Sequence, residues 1–356
     1  MLYYWGVRLL FITQKIDKED DILGVYHEWA GRLAEKVAEL NIICLSKGVA
    51  DLPLNVRVWS LGKEKGQSKL GYLLNFYRYI FKLRDNYDLV FVHMNPPYIL
   101  LGWFWWKLWR KKIVYWNASY KINWLMKFAL SLADKGVTSV PEAFNIRSKK
   151  IIAVGQGIDT DSFRRINAIE KRNGSILYLG RISPVKNLEI LIKALGILAR
   201  KDLGVNLSVV GEVREGDKYH QKILRESERL GQAGIISFLG KVPNYRTPEL
   251  YNFHQLFVNL TESGSFDKSI LEAMACQTLV LVSNKIYERI FPGDLKNLLM
   301  FKEKNAVDLA LKLGGLLRLS GQESEAIGKR LREIVVRDHN LNNLSSRLIS
   351  VFNTLL

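Results

Sequence analysis

The stretch Thr261–Val282, TESGSFDKSILEAMACQTLVLV, decides how the rest of the chain is read. A polar loop containing Gly264 runs from Glu262 to Lys268 and meets a short helix that opens near Ser269. Ser269-Ile270-Leu271-Glu272 has the pattern of a capping box, in which the serine hydroxyl takes a helix-start amide and the glutamate reaches back. The apolar run Thr278–Val282 then reads as a buried strand. Loop, helix start, helix and strand in this order make an anion site, because free amides and the positive end of the helix dipole face whatever the loop encloses. On local pattern alone, Glu272 also reads simply as a capping residue.

The segment LEAMAC, Leu271–Cys276, following a loop with Gly264 and Phe266, resembles the signature of the family-4 retaining glycosyltransferases, which have the GT-B fold. The resemblance implies that Glu272 binds the ribose of a sugar nucleotide. The family's earlier acidic contact, to the donor sugar, falls eight residues before, where this chain has Gly264. Glu262 or Asp267 stands nearby to substitute for it, and Asp267 and Lys268 are the candidates for contact with the donor sugar.

Working outward, a chain of 356 residues exceeds one ordinary core and fits two domains. A hydrophobic content of 48% and a charged content of 24% are those of a folded globular protein. Cys44 and Cys276 lie far apart in apolar runs, so they read as buried free thiols rather than a disulfide framework or a metal site. The net charge of +17 calls for an anionic partner: nucleic acid, lipid headgroups or phosphorylated metabolites. Residues 1–165 hold 25 Lys and Arg against 15 Asp and Glu, and all nine Trp fall within the first 124 residues, so the two halves differ in chemistry. Met1–Ile12, broken by Arg8, reads as a first strand rather than a signal peptide. No apolar run reaches the roughly 20 residues of a spanning helix.

In the first half, Val7–Thr13, a helix over Val25–Glu39 and Ile42–Leu45 form a strand, helix, strand unit. Ligands in such sheets bind at the carboxyl ends of strands, which places the Gln14–Gly24 loop and His93, at the end of the strand Asp88–Val92, near a site. A solvated acidic loop and a packed structural histidine are the plainer readings. Leu100–Lys112 (LLGWFWWKLWRKK) combines Trp103, Trp105, Trp106 and Trp109 with Lys107, Arg110, Lys111 and Lys112, the chemistry of an interfacial segment on an anionic membrane. A core helix with a solvated basic end gives the same pattern. Asn117 follows the strand Ile113–Trp116, where the family often has a second His facing the donor sugar. Ile151–Asp159, ending Val154-Gly155-Gln156-Gly157-Ile158-Asp159, resembles the family's V-x-N-G-I-D segment, which ends the first domain, with Gln156 where Asn is usual.

The second half opens with the strand Ser175–Leu179, the loop Gly180–Asn187 and the helix Leu188–Leu198. Gly180 allows a tight turn, Arg181 offers a planar fork for phosphate oxygens and Lys186 a point charge. This GR-x-x-x-x-KN loop is the second family motif, in which the Arg and Lys hold the donor diphosphate. Gly211, after the strand Asn206–Val210, and Val242, where the family's backbone meets the nucleobase, complete the donor side with Gly264, Phe266, Ser269 and Ile270. Gly24 and Asn117 are assigned to acceptor or sugar, and His93 joins Arg181 and Lys186 as a catalytic candidate.

The expected fold is α/β: two doubly wound Rossmann-like domains in GT-B architecture facing a central cleft. The expected domains are 1–165 for the acceptor, 166–335 for the nucleotide sugar, and a C-terminal helix, 336–356, packing back on the first. The expected function is retaining, metal-independent hexosyl transfer from a UDP- or GDP-linked sugar, with no other cofactor, to a glycan or lipid-linked acceptor. The protein is expected to be cytoplasmic and peripheral on the inner face of the cell membrane. Two alternatives stay open: a non-catalytic sugar-nucleotide-binding protein, and a basic nucleic-acid binder, for which no binding motif or single basic stripe is present.

Overall fold

The computed structural model describes residues 6–199, 204–212, 216–232, 234–264 and 266–356. Met1–Trp5, part of the segment weighed above as a signal peptide, lie outside the described residues. In chain order the N-terminal part runs β1 (Arg8–Ile16), α1 (Val25–Ala34), β2 (Glu39–Lys47), β3 (Val56–Ser60), α2 (Lys69–Lys82), β4 (Leu89–His93), α3 (Pro96–Leu108), β5 (Lys112–Trp116), α4 (Trp124–Leu132), β6 (Lys135–Thr138) and β7 (Ile151–Ala153). The C-terminal part runs β8 (Arg172–Leu179), α5 (Leu188–Ala199), β9 (Asn206–Val210), α6 (Lys218–Gln232), β10 (Ile236–Gly240), α7 (Thr247–Phe253), β11 (His254–Asn259), α8 (Lys268–Ala275), β12 (Leu279–Val282), α9 (Gly293–Leu299), α10 (Ala306–Leu317), α11 (Gly321–Asp338) and α12 (Leu341–Asn353). Two compact units result. The first takes the chain to Asp159, the short piece Pro243–Tyr245 and Asn340–Leu356; the second takes Thr160–Val242 and Arg246–His339.

Strand alternation builds the first unit's core. Leu9 and Phe11 of β1 point to one face of the sheet and Leu10 and Ile12 to the other, and all four are fully buried. The first face is covered by α1 and α12 through Trp29, Leu33, Leu344 and Phe352. The second is covered by α2, α3 and α4 through Phe76, Ile80, Trp106 and Leu130. A strand buried on both faces must be apolar at nearly every position, as these are.

Both sheets are parallel. The first has seven strands in the order β3-β2-β1-β4-β5-β6-β7, the second five in the order β10-β9-β8-β11-β12. In each, the chain lays strands outward in one direction and then restarts in the other, between β1 and β4 and between β8 and β11. Such a reversal opens a crevice at the carboxyl ends of the two central strands, where ligands of open α/β sheets bind.

Three sequence expectations are corrected. The helix expected to reach Glu39 stops at Ala34, and Glu39 already begins β2. The segment Leu100–Lys112 is not one element: α3 ends at Leu108, Arg110 turns the chain with φ 56, and Lys112 starts β5. The capping box at Ser269 does not form. α8 begins at Lys268 with Asp267 in the N-cap position, and the Asp267 side chain makes no cap bond because it turns elsewhere, as described next.

Candidate functional site

At the crevice between β8 and β11 a lysine and an aspartate meet. Lys186, at the end of the loop that follows β8, forms an ion pair with Asp267, which precedes α8. The same ammonium donates to Thr261 Oγ1 at 2.8 Å. Thr261 Oγ1 in turn donates to the Asp267 carboxylate at 2.6 Å, and Asn259 Nδ2 donates to it at 3.0 Å. Burial by itself would raise the Asp267 carboxyl, but the Lys186 charge and these three hydrogen bonds prevail and lower it to about 2. Asn187, in the left-handed region with φ 48, locks the end of the Lys186 loop by donating to Leu260 O at 3.2 Å. Thr261 and Asn259 carry no assignment in the sequence, and Asn187 enters there only as the last residue of the GR-x-x-x-x-KN loop. Their signal was position alone: Asn259 ends β11, Thr261 lies two residues beyond it and Asn187 closes the Lys186 loop.

The glycines at the strand ends have a steric reason. Gly211 N donates to Gly240 O at 2.8 Å and Gly180 N to Val210 O at 3.0 Å, so the ends of β8, β9 and β10 are laced together. A Cβ on Gly211 would lie 2.2 Å from Gly180 O, which no side chain tolerates. Arg181 is exposed beside this lacing, while its carbonyl accepts from the Tyr178 hydroxyl at 2.9 Å. Val242 follows β10 at the sheet edge, two strands from β8, and is not brought to the Lys186 cluster.

Gly264 has φ 108, a backbone conformation that a glutamate adopts only with strain. The substitution of the family's acidic residue therefore goes with a backbone shaped for glycine. Glu262 points outward, paired with Lys304 at 2.8 Å. Phe266 is buried against the rings of Tyr287 and His339. The Tyr287 hydroxyl donates to Asp267 O at 3.1 Å, tying the N-cap residue to the core. On α8, Lys268 and Ser269 are half-buried, whereas Ile270 and Glu272 are buried. The Glu272 carboxylate accepts from the Tyr251 hydroxyl at 3.0 Å. Burial first, then the neighbouring Glu272 charge, push the Tyr251 phenol well above its ordinary value.

The first unit has a corresponding junction between β1 and β4. His93 ends β4, with Nδ1 3.4 Å from Thr13 Oγ1 of β1. It is 2% exposed and packed against Tyr26, Trp29, Trp116 and Phe11. Asn117 is fully buried, with Nδ2 donating to Ser119 O at 3.3 Å. Gly24 precedes α1, and a Cβ there would lie 2.6 Å from Asp20 O. The acidic loop before it is tied down by Lys15, which pairs with Asp17 at 2.9 Å and Asp20 at 2.6 Å. Gly24 is therefore demanded by the close approach of this loop.

The tryptophan-rich helix divides in two. Trp106 is a correction: it is fully buried, with Nε1 donating to the Tyr87 hydroxyl at 3.2 Å, and it does not face a membrane. Trp103, Trp105 and Trp109 are half-buried over the same core. Lys107 pairs with Asp134 at 2.8 Å, and Lys111 turns inward to donate to Tyr87 O at 2.6 Å. Arg110 is exposed and Lys112 half-buried. No helix among the described residues is long and apolar enough to cross a membrane. Cys44 and Cys276 are buried free thiols, each raised to about 12 chiefly by burial.

Two parallel α/β units, each with its crevice at a strand-order reversal, define the GT-B class of protein. The crystal structure of Anabaena Alr3699/HepE in complex with UDP and glucose superposes with a TM-score of 0.77 over 98% of this chain and 100% of that one, at 18% identity. Residues 159–333 match the family model Glycosyl transferases group 1. The D-inositol 3-phosphate glycosyltransferase of Segniliparus rotundus is 29% identical over 143 residues, 38% of this chain and 32% of that protein. The O-antigen chain mannosyltransferase B of Escherichia coli is 28% identical over 169 residues, 44% of this chain and 43% of that protein. The chain thus matches less than half the length of either relative.

Proposed function

We propose that this protein is a retaining glycosyltransferase that moves a hexose from a nucleoside-diphosphate sugar, UDP- or GDP-linked, to a glycan or lipid-linked acceptor near a membrane. The observation that carries the reading is the meeting of Lys186, Thr261 and Asp267 at the β8/β11 reversal, beside the start of α8. As the bond from the sugar C1 to the β-phosphate oxygen breaks, negative charge collects on that phosphate. Arg181, Lys186 and the α8 amides near Ser269 and Ile270 are the donors that stabilise it; a single preorganised donor of this kind contributes about 3 kcal/mol. The acceptor hydroxyl attacks C1 from the same face and its proton passes to the leaving phosphate oxygen. These cations take the charge without a metal ion. Asp267 is a positioning residue that holds the Lys186 ammonium, Glu272 takes the ribose and Val242 lies toward the base. The first unit receives the acceptor, with His93, Asn117 and the Gly24 loop on its side of the reaction. The nucleotide sugars implied by the family resemblance, and the UDP bound by Anabaena Alr3699/HepE, support a nucleotide donor.

A thermal-shift screen against UDP, GDP, ADP and TDP tests the site first. One nucleotide at about a hundred times its dissociation constant is expected to stabilise the fold by roughly 2.7 kcal/mol. Arg181 is exposed, so Arg181→Ala is expected to leave folding intact and to lower kcat/KM about 100-fold. Full turnover in that variant refutes the phosphate assignment. A second reading, sugar-nucleotide binding without transfer, is favoured by Gly264 where the family has an acidic residue. Nucleotide binding with no donor turnover selects it.

A further inference from the structure

The C-terminal ends of α2 and α3 leave an apolar ridge in water. Phe104 is 58% and Leu108 62% exposed, and Phe81 of α2 is 37% exposed. Phe81 is edge-on to Trp105 at 4.7 Å and to Trp109 at 5.0 Å, so the aromatic surface is continuous from α2 to α3. Scattered exposed apolar residues need no explanation, but a contiguous aromatic patch does. Trp109 also lines a notch of about 810 Å³ with Lys36, Arg110, Lys111 and Lys112. The one acidic side chain lining the notch, Asp88, is already paired with Arg8 at 2.6 Å. Among the described residues Lys36, Arg110 and Lys112 make no ion pair, and Lys111 is spent on the Tyr87 carbonyl. An apolar ridge that runs through one tryptophan into a cationic notch has the layered chemistry of the water–lipid boundary. Rings and aliphatic groups suit the acyl margin, and cations suit the phosphate layer.

We infer that the ends of α2 and α3 dock on an anionic phospholipid surface, with Phe104, Trp105 and Leu108 entering the headgroup layer and the notch beside Trp109 receiving a lipid phosphate. This rests on the membrane-proximal part of the proposed function and locates it on the molecule. Of the eight residues of the sequence pattern, Trp106 is buried in the core, and Lys111 lines the notch but has its ammonium turned to the Tyr87 carbonyl. Phe81 and Lys36, remote in sequence, belong to the surface.

The test is sedimentation of the full chain with phosphatidylcholine vesicles, with and without phosphatidylglycerol. Binding is expected only with phosphatidylglycerol and is expected to fall as salt rises. Arg110→Gln/Lys112→Gln is expected to weaken it about 30-fold, and Phe104→Ser/Leu108→Ser by about tenfold or more. Thermal unfolding of each variant verifies that it is folded, and the salt response of the unaltered protein tests the charge term without any variant. Equal binding by all three proteins, or binding to neither vesicle, overturns the inference. So does stabilisation by inorganic phosphate through Arg110 and Lys112 without vesicle binding, which marks a soluble-anion site. Light scattering that shows a dimer abolished by Phe104→Ser/Leu108→Ser also overturns it, in favour of a second copy of this chain. Nucleotide binding by the unaltered protein, measured without vesicles, reports separately on the glycosyl-transfer reading.

Discussion

At Asp267 two effects oppose each other. Burial disfavours the carboxylate, while Lys186, Thr261 and Asn259 favour it, and the balance leaves the group near 2, below its ordinary 3.8. A carboxyl depressed in the folded state adds stability that is fully present above about pH 4 and is lost as pH falls through about 2. Its size is roughly 2 kcal/mol. Asp267→Asn is therefore expected to flatten the stability curve between pH 4 and 2, measured by urea unfolding against the unaltered protein. At neutral pH, Lys186→Met leaves a buried carboxylate without its cation and is expected to cost about 3 kcal/mol. The double variant is expected to recover part of that loss. Additive costs would show that the pair is not coupled. Lys186 and Asp267 were each visible in the sequence as polar residues in loops after strands, but their partnership was not. They are 81 positions apart, and only the placement of β11 beside β8 brings them together. Gly264 was visible as a departure from the family pattern. Its φ of 108 was not, because a backbone angle has no signature beyond the glycine itself.

At the scale of elements, α3 shows why a tryptophan-rich helix is hard to read. Its residues are apolar on every side, so no period separates the face toward the sheet from the face toward water. Packing makes the choice: Gly102 gives the Trp106 ring its place, and a Cβ on Gly102 would lie 2.4 Å from that ring. Gly102→Ala is accordingly expected to cost about 1–3 kcal/mol by overpacking, and Trp106→Ala about 3–5 kcal/mol by leaving a cavity. Phe104→Ser, two residues from Trp106, is expected to stay within about 0.5 kcal/mol. Denaturant midpoints at constant slope separate these values. A large cost at Phe104 would mean that the ridge is covered in the folded protein. The α8 start departs from its local pattern for the opposite reason. A serine followed three positions later by a glutamate is a good capping box locally, but Tyr251 takes the glutamate and Lys186 takes the N-cap aspartate. Side chains from other elements outcompeted the helix's own backbone.

The whole molecule is two units with separate sheets, and the last helix belongs with the first of them. α12 supplies Leu344, Leu348 and Phe352 to the core that α1 and β1 begin. It is received by the segment that resembles the family's V-x-N-G-I-D: Leu341 N donates to Ile158 O at 2.8 Å, and Trp29 Nε1 to Gly157 O at 3.1 Å. A Cβ on Gly157 would lie 2.6 Å from Leu344, 2.7 Å from Leu341 and 2.9 Å from Trp29. Length and the repeated strand–helix pattern made two units legible, whereas the return of α12 came from resemblance, since no local pattern says which sheet a terminal helix will cover. The physical consequence is that one glycine governs how the chain's end docks. Gly157→Ala is expected to destabilise the first unit by about 1–3 kcal/mol. In calorimetry this lowers the transition that reports the first sheet and leaves the other in place, because the units have separate cores. A nucleotide bound at the β8/β11 crevice is expected to do the reverse, raising only the second transition. If a single transition responds to both the substitution and the nucleotide, the two units unfold together, and stability measured at either site then belongs to the whole chain.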